Sequence, residues 1–199
     1  MICVLILAAG SSTRMRGRDK LMEDVDGMPL LRRTVLRAQA TGEAIVVTLP
    51  PATHPRYTAL KGLDVLKVPV TDAALGLSAS LRAGLGALPA GCVAVMVMLA
   101  DMPDLTTDDL NTIMQAVDLK SETLIWRATT YDGAAGHPTV FHASLFSELM
   151  ALEGDKGAKP MIEKYRSRTL LIPLPDAHAR TDLDTPEAWD AWREAQQST

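Results

Sequence analysis

Apolar and polar positions along the chain form segments that favour strands and helices in turn. The first segment, 2–7, is apolar throughout, as is typical of a strand that is covered on both faces of a sheet. Further strands are predicted at 43–49, 64–70, 93–99, 123–128, 139–141 and 169–172. Helices are predicted at 29–40, 55–61, 77–88, 106–117, 144–152, 157–165 and 185–195, several of which begin at a proline or a capping hydroxyl.

This alternation predicts an α/β fold of three layers, α/β/α. A repeated strand–helix–strand order favours a mostly parallel, Rossmann-like sheet with helices on both faces. Ligands bind at the carboxyl ends of the strands in such sheets, so a site is expected after Leu7, Val70 and Leu99. No internal repeat, low-complexity stretch or long linker divides the sequence, and we expect residues 1–199 to form a single domain.

Composition narrows the function classes. The 199 residues are 47% hydrophobic and 22% charged, with a formal net charge of −4. This balance gives no indication of a basic face, so no nucleic-acid partner is expected. Cys3 and Cys92 lie in apolar runs without CxxC spacing and are expected to be reduced core thiols. The apolar run at the start lacks a basic flank and is too short to span a bilayer, which predicts a cytoplasmic protein without a membrane partner.

The most informative segment is 7–20, Leu-Ala-Ala-Gly-Ser-Ser-Thr-Arg-Met-Arg-Gly-Arg-Asp-Lys, which we call the glycine loop. It follows the first predicted strand directly. Its small residues allow the backbone to approach a ligand closely, so that amide N–H groups can surround phosphate oxygens. Hydroxyl and cationic side chains follow at Ser11, Ser12, Thr13, Arg14, Arg16, Arg18 and Lys20, offset only by Asp19. The loop is therefore predicted to bind an anion.

Two common phosphate-binding loops do not fit this segment. A P-loop requires lysine and a hydroxyl residue directly after its second glycine, but Gly17 is followed by Arg18. A dinucleotide-binding fingerprint requires glycine at the positions where Ser12 and Met15 stand. The glycine loop therefore belongs to neither of these two classes.

A second candidate site lies where the predicted strand 93–99 ends. That strand carries no charge, and Asp101 follows it in the segment Leu-Ala-Asp-Met-Pro. A carboxylate at this edge of the sheet can bind Mg²⁺, which takes its other oxygens from phosphates and water. The segment could instead form a turn whose carboxylate caps local N–H groups. The glycine loop at a neighbouring strand end favours the metal interpretation, and Asp104 is interpreted as the start of the turn before the next helix.

The glycine loop resembles the signature of the molybdenum cofactor nucleotidyltransferase family, L-A-[AG]-G-x-S-x-R-M-G-x-x-K. Matching residues stand at 7–10, Ser12, Arg14, Met15 and Lys20. Arg16 is an additional residue between Met15 and Gly17, so Lys20 lies one position further along than in the commonest pattern. The resemblance implies an α/β fold of the nucleotide-diphospho-sugar transferase type.

The same resemblance implies roles for individual residues. Nucleotide binding falls to Leu7, Ala8, Ala9, Gly10, Ser11 and Ser12, and to Gly76, Ser78 and Ser80 in a segment similar to the family's G-[LM]-[SA]-x-S. Backbone donors near Leu75 to Ser78 are expected to contribute to the choice of base. Arg14 would hold the triphosphate and Lys20 would lie near the α-phosphate, while Asp101, in the family's D-x-P motif, would bind Mg²⁺. These three residues form the predicted catalytic set.

Three later segments resemble family motifs in the same order. Gly-His-Pro at 136–138 and Gly-Asp-Lys-Gly at 154–157 imply acceptor binding by His137, Asp155 and Lys156. His137 could instead be a hydrogen-bonded structural residue. The segment 182–187, Asp-Leu-Asp-Thr-Pro-Glu, implies a second metal contact at Asp182, whereas Asp184 could serve only to start the final helix. We expect nucleotide binding in the N-terminal part and acceptor binding after about residue 130.

The resemblance covers nearly the whole chain and implies an enzyme that transfers a nucleotidyl group with the help of Mg²⁺. Ala-Ala-Gly at 8–10 resembles the cytidylyltransferase branch, whereas the guanylyltransferase branch has Ala-Gly-Gly. The leading hypothesis is transfer of CMP from CTP to molybdopterin or its molybdenum form, with release of pyrophosphate. The alternatives are transfer to a sugar or polyol phosphate, and a nucleotide-binding accessory protein for molybdoenzyme maturation. A molybdoenzyme or its maturation chaperone would then be a protein partner.

Overall fold

A seven-stranded sheet and a separate two-stranded hairpin organise the computed structural model, which describes residues 1–72 and 76–197. The strands are β1 (Ile2–Leu7), β2 (Asp24–Val25), β3 (Met28–Pro29), β4 (Ala44–Leu49), β5 (Leu66–Pro69), β6 (Ala94–Leu99), β7 (Ile125–Thr129), β8 (Ala135–His142) and β9 (Thr169–Pro173). The α-helices are α1 (Leu30–Gln39), α2 (Arg56–Ala59), α3 (Leu77–Gly86), α4 (Thr107–Gln115), α5 (Phe146–Met150), α6 (Lys159–Lys164) and α7 (Pro186–Gln197).

The strands of the large sheet follow the order β5-β4-β1-β6-β8-β7-β9. β1 runs parallel to both of its neighbours, with Leu7 opposite Thr48 of β4 and opposite Leu99 of β6. The carboxyl ends of these three strands therefore meet at one edge of the sheet, and the segments that follow Leu7 and Leu99 emerge side by side. The prediction of an α/β fold with a mostly parallel sheet is confirmed.

One strand of the sheet, β8, runs against its neighbours. It pairs antiparallel with β6 and β7, and it is longer than the predicted strand at 139–141. A turn after β7 reverses the chain, since the Thr130 N–H donates to the Ala134 carbonyl at 2.9 Å. Gly133 lies in this turn with φ 89°, a conformation that glycine adopts at little steric cost. His137, which precedes the predicted strand at 139–141, lies inside β8.

Apolar side chains cover both faces of the sheet, as the uninterrupted apolar run of β1 predicts. Val4 and Ile6 belong to a core that includes residues of α1, α4 and α7, whereas Leu5 and Leu7 belong to a core that includes residues of α3, α5 and α6. All four side chains are buried. Burial of apolar surface at about 25 cal/mol per Å² is the main force that holds these layers together.

The helices lie close to their predicted positions, with a local difference at the start of α1. Pro29 pairs with Asp24 in the hairpin and is not the first residue of a helix. Asp26 and Gly27 form the turn of this hairpin with positive φ, and Asp24 Oδ1 accepts the Gly27 N–H at 3.1 Å. α1 therefore begins at Leu30. Among the described helices, none combines the length and the apolar character needed to cross a membrane.

Candidate active site

A cavity of about 720 Å³ opens at the carboxyl ends of β1 and β6. This volume is typical of sites for small molecules. Most of the predicted site residues line it: Leu7, Ala8, Ala9, Gly10, Ser11, Arg14, Lys20, Gly76, Ser80, Asp101, Asp155 and Asp182. The fold thus brings residues from the start, the middle and the end of the chain to one place, which we call the main cavity.

Two predicted nucleotide-binding residues, Ser12 and Ser78, are not among the described residues that line the main cavity. Ser12 Oγ accepts a hydrogen bond from the Arg56 guanidinium at 3.0 Å and donates one to Asp19 Oδ1 at 3.2 Å. Ser78 is buried in α3, and its hydroxyl has no hydrogen-bond partner among the described residues. The contact of these two residues with nucleotide stays a prediction. Leu75, which the sequence analysis associates with base contacts, lies outside the described residues.

The glycine loop is anchored in the core by Met15, and three of its residues, Ser12, Arg16 and Gly17, have positive φ. Met15 is fully buried. Ser12 and Arg16 have φ values of 52° and 53°, a conformation that costs a non-glycine residue about 1–3 kcal/mol unless its surroundings hold it. The left-handed pair Arg16 and Gly17 accommodates the additional residue of the loop, and Lys20 still lines the main cavity.

Charges of both signs meet in the main cavity. The Lys20 ammonium is bound to Asp101 Oδ2 and lies 2.5 Å from Asp184 Oδ1. Arg14 Nη2 lies 2.5 Å from Asp184 Oδ2. The Lys20, Asp101 and Asp184 side chains are 15%, 12% and 18% exposed, so solvent screens their interactions only weakly. From the sequence, Asp184 could either serve only to start the final helix or take part in the chemistry. In the structure it contacts both Arg14 and Lys20 in the main cavity.

The pKa values of Asp182 and Asp184 shift in opposite directions in this cavity. Burial raises the pKa of Asp182, and the negative charges of Asp184 and Asp101 raise it further. Burial acts in the same direction on Asp184, but the Lys20 and Arg14 cations outweigh burial and lower the pKa of Asp184. Burial alone would lower the pKa of Lys20, but the carboxylates bound to it raise that pKa. Three carboxylates thus share two cations, and a further cation would neutralise the excess negative charge.

The oxygen donors at this point fit a divalent cation. Asp101 Oδ1 is buried and has no hydrogen-bond partner within residues 1–72 and 76–197. A buried carboxylate oxygen without a partner is costly, and a hard cation is a partner that would satisfy it. Within the same ranges, no group of three His, Cys, Asp or Glu side chains could hold a metal ion. Two carboxylates such as Asp101 and Asp182 suit an ion that takes its remaining ligands from phosphate and water.

The turn at 154–157 packs against the start of α3 and contributes to two cavities. Asp155 faces Gly76 so closely that a Cβ added to Gly76 would lie 2.9 Å from the Asp155 Cα. Both Asp155 and Lys156 are predicted from the sequence to bind the acceptor. The structure places Asp155 in the main cavity, whereas Lys156 lines a second, neighbouring cavity.

We expect Gly76→Ala to lower both stability and nucleotide affinity. Gly76 has φ 94°, and the added Cβ would collide with Asp155, so strain and overpacking should cost about 1–3 kcal/mol. Gly86→Ala, at the other end of α3, is the matched control, because its Cβ would meet only Met150 Cε, at 4.0 Å. Thermal denaturation and the KM for nucleotide measure both effects. A Gly76→Ala variant as stable as Gly86→Ala would contradict the close packing.

The second cavity has a volume of about 220 Å³. Leu7 and Leu77 line both this cavity and the main cavity. Apart from apolar residues such as Phe141, it is lined by Arg127, His137, Thr139, Lys156, Lys159 and Glu163. Two buried atoms there, His137 Nδ1 and Thr139 Oγ1, have no hydrogen-bond partner in the part of the chain that the structure describes. Burial and the nearby charge of Arg127 lower the pKa of His137, which favours the neutral imidazole.

Arg56 is a site residue that the sequence analysis missed. It belongs to the short helix α2, and its side chain is 1% exposed against the glycine loop. Nothing in its immediate sequence distinguishes it from a surface arginine. The available signal was Asp19, since a lone acid among the cations of the loop indicates a buried partner elsewhere in the chain.

The sheet order and the charged residues of the main cavity fit the class of the nucleotidyltransferases. Comparison with known families leads to the same class. The sequence profile of the MobA-like NTP transferase domain matches residues 4–169. The chain belongs to this family, and its resemblance to the molybdenum cofactor nucleotidyltransferases is confirmed at the level of the family.

Individual relatives are similar over most of their length. Purine catabolism protein PucB of Bacillus subtilis is 28% identical, over 96% of this chain and 95% of the relative. The molybdenum cofactor guanylyltransferase of Cupriavidus metallidurans is 29% identical, over 91% of this chain and 89% of the relative. The structure of Rv0371c from Mycobacterium tuberculosis, solved in complex with manganese, is 25% identical with a TM-score of 0.81, covering 98% of each chain. A divalent metal therefore occurs in a structure of similar fold.

Proposed function

We propose that this protein transfers CMP from CTP to molybdopterin, or to its molybdenum form, in a Mg²⁺-dependent reaction that releases pyrophosphate. The observation that carries the proposal is the meeting of the glycine loop, two cations and four carboxylates in the main cavity. Positioned cations are the main tool of phosphoryl-type transfer, because negative charge develops on the phosphate oxygens and on the leaving group.

The glycine loop is suited to hold the triphosphate of the nucleotide. A Cβ on Gly10 would meet nothing within 4 Å, so a phosphate can approach the backbone there. The Arg14 side chain is 69% exposed and can turn from Asp184 to a phosphate at little cost. Lys20 is held between Asp101 and Asp184, where it can neutralise charge near the α-phosphate.

Asp101 and Asp182 are the residues that would hold Mg²⁺. Asp101 offers its Oδ1, which is unpaired among the described residues. Burial and acidic neighbours raise the pKa of Asp182, so a nearby cation would favour its charged form. The ion would supply charge neutralisation at phosphate oxygens. Asp101 has a further role within the chain, because its Oδ2 binds the Lys20 ammonium.

The transfer exchanges one bond at the α-phosphorus for another. An oxygen of the acceptor phosphate forms a bond to the α-phosphorus of CTP, and the bond from that phosphorus to the α–β bridging oxygen breaks. Pyrophosphate leaves with the electron pair of the broken bond. Lys20 and Arg14 stabilise the charge that develops, and backbone N–H groups of the glycine loop hold the departing phosphates.

The second cavity fits an acceptor that combines a flat ring with a phosphate. Leu77 and Phe141 provide apolar surface on which a ring can pack. His137 Nδ1 and Thr139 Oγ1 lack partners within the described residues, and a ring with hydrogen-bonding edges would satisfy them. Lys156 can meet the phosphate. A polyol phosphate would leave the apolar surface unused, so these features favour molybdopterin over a sugar or polyol phosphate.

Pyrophosphate release with each of the four NTPs, against a panel of phosphorylated acceptors, tests the proposal. The panel contains molybdopterin, its molybdenum form, a sugar phosphate and a polyol phosphate. We expect release with CTP and a molybdopterin. Release only with a sugar or polyol phosphate would change the acceptor. Nucleotide binding without release from any pair would favour the accessory-protein alternative, in which the partner is a molybdoenzyme or its chaperone.

We expect kcat/KM for CTP to exceed that for GTP by about 10- to 200-fold with the same acceptor. Ala9 lines the main cavity, and its methyl group belongs to a small apolar cluster with Val70 and Ala79. By the resemblance to the cytidylyltransferase branch, this methyl group takes up room that the guanylyltransferase branch leaves free, which disfavours the larger purine base. Steady-state kinetics with both nucleotides measure the ratio.

A pair of variants tests whether Ala9 is the cause of this preference. Ala9→Gly should raise the use of GTP relative to CTP. Ala79→Gly removes a methyl group from the same cluster without changing the described cavity wall, and it should leave the ratio unchanged. A wild-type GTP value at or above the CTP value would remove the cytidylyltransferase assignment and leave the nucleotidyltransferase class intact.

A further inference from the structure

The buried Arg56 side chain uses all five of its N–H donors on the glycine loop. Nη1 donates to the carbonyls of Ala8 and Gly10, in each case at 2.7 Å. Nε and Nη2 donate to the two carboxylate oxygens of Asp19 at 2.8 and 2.6 Å. Nη2 also donates to Ser12 Oγ at 3.0 Å. One side chain from α2 thus connects the beginning, the middle and the end of the loop.

The two carbonyl contacts orient amide groups of the loop. In a trans peptide the C=O and N–H bonds point in opposite directions. Because the carbonyls of Ala8 and Gly10 are turned towards Arg56, the N–H groups of Ala9 and Ser11 point away from it. Both of these residues line the main cavity. Arg56 therefore sets the direction of two donors that a phosphate would meet.

The ion pair between Arg56 and Asp19 also affects the position of Lys20. Asp19 Oδ1 also accepts the Leu21 N–H at 3.0 Å and thereby caps the 3₁₀ turn Lys20–Met22. Burial raises the pKa of Asp19, but the hydrogen bonds and the charge of Arg56 outweigh burial and lower that pKa. The direction in which the Lys20 side chain leaves the backbone therefore depends on the Arg56–Asp19 pair.

Fold stability alone is a weak reason for this arrangement. A buried ion pair is often no more stabilising than apolar side chains of similar volume, because both charges lose their water. The loop also contains Ser12 in a left-handed conformation that its surroundings have to hold. We propose that Arg56 is a positioning residue that holds the glycine loop in its phosphate-binding conformation before the nucleotide arrives. The inference rests on the nucleotide site of the proposed function and is independent of the base and the acceptor.

Arg56→Lys and a matched control, Arg32→Lys, test the inference. Arg32 donates to the carbonyls of Ala59 and Lys61 at the end of the same short helix, at 2.9 and 3.1 Å, and its described contacts do not include the loop. Lysine keeps the charge at both positions but cannot reach all the acceptors of an arginine. The measured quantities are the Kd of inorganic tripolyphosphate, the KM for NTP and the KM for the acceptor.

We expect Arg56→Lys to raise the Kd of tripolyphosphate and the KM for NTP about 10- to 100-fold, because the loop donors lose their alignment. The KM for the acceptor should stay unchanged. Arg32→Lys should leave all three quantities at wild-type values. Circular dichroism at the assay temperature establishes that each variant is folded. If Arg56→Lys does not fold, Asp19→Asn replaces it, since asparagine keeps the side-chain volume, and it should weaken tripolyphosphate binding about 3- to 10-fold.

Two results would overturn the inference. The first is wild-type affinity for tripolyphosphate in folded Arg56→Lys or Asp19→Asn. The second is an equal rise of the KM for NTP and the KM for the acceptor, which a general loss of structure produces. Tripolyphosphate carries neither cytidine nor molybdopterin. A wild-type protein that transfers no CMP but binds tripolyphosphate in an Arg56-dependent manner would contradict the proposed function and support the inference.

Discussion

Asp101→Asn is expected to lower turnover about 100-fold or more while nucleotide affinity changes little. Asparagine keeps the shape of the side chain and removes its charge. That charge holds Lys20 through Oδ2, and the buried Oδ1 is unpaired among the described residues. The loss of an interaction made in the transition state lowers kcat without an equal change in Kd. Pyrophosphate release and calorimetric titration with CTP measure the two quantities.

Asp104→Asn, from the same segment, is the matched control for this variant. Asp104 Oδ1 accepts a hydrogen bond from Trp192 Nε1 at 2.8 Å, and an asparagine oxygen can accept it as well. This contact agrees with the interpretation of Asp104 as a structural residue of the turn. Near-normal turnover is therefore expected for Asp104→Asn. If Asp101→Asn retained near-normal metal-dependent turnover, Asp101 would have no part in the chemistry.

Lys20→Ala should lower kcat/KM about 100-fold, and Arg14→Ala about 10-fold. Lys20 is 15% exposed and in contact with Asp101 and Asp184, so its loss leaves these carboxylates without their buried cation. Arg14 is 69% exposed and contacts only Asp184 in the described structure, which is why its removal is expected to have the smaller effect. Steady-state kinetics at saturating acceptor provide the comparison.

Arg16→Ala is the internal control for these two variants, and its kcat/KM should stay within about twofold of wild type. Arg16 pairs with Glu187 at the surface, where the two side chains are 74% and 62% exposed. Exposed pairs of this kind contribute little free energy. If Arg16→Ala were the most impaired of the three variants, the alignment of the glycine loop with the family signature would be shifted by one residue.

Local sequence signals were sufficient to predict most of the helices and strands. The apolar run at 2–7 predicts a strand covered on both faces, and β1 lies in the middle of the sheet with a core on each side. The direction of β8 could not be predicted in this way. Its reversal depends on the turn between Thr130 and Ala134, and a strand pattern has the same period in either direction.

The sequence predicts site residues where a family motif directly follows the end of a predicted strand. Lys20 and Asp101 were identified on that basis, and the structure brings them into contact. Arg56 was missed because its role depends on the approach of α2 to the glycine loop, and no short-range pattern describes that approach. The role of Asp184 could not be decided from the sequence, because a residue just before a helix can serve only to start that helix.

The sequence by itself determined the class of fold, the place of the glycine loop after the first strand and the carboxylate at the strand end, since each depends on residues that are neighbours in the chain. Only the tertiary structure decided which side chains share a cavity. It placed Asp155 in the main cavity and its neighbour Lys156 in the second one. It also enclosed Arg56 behind the loop. Burial and charge pairing arise between segments far apart in sequence, and they take effect only when the packed layers bring those segments together.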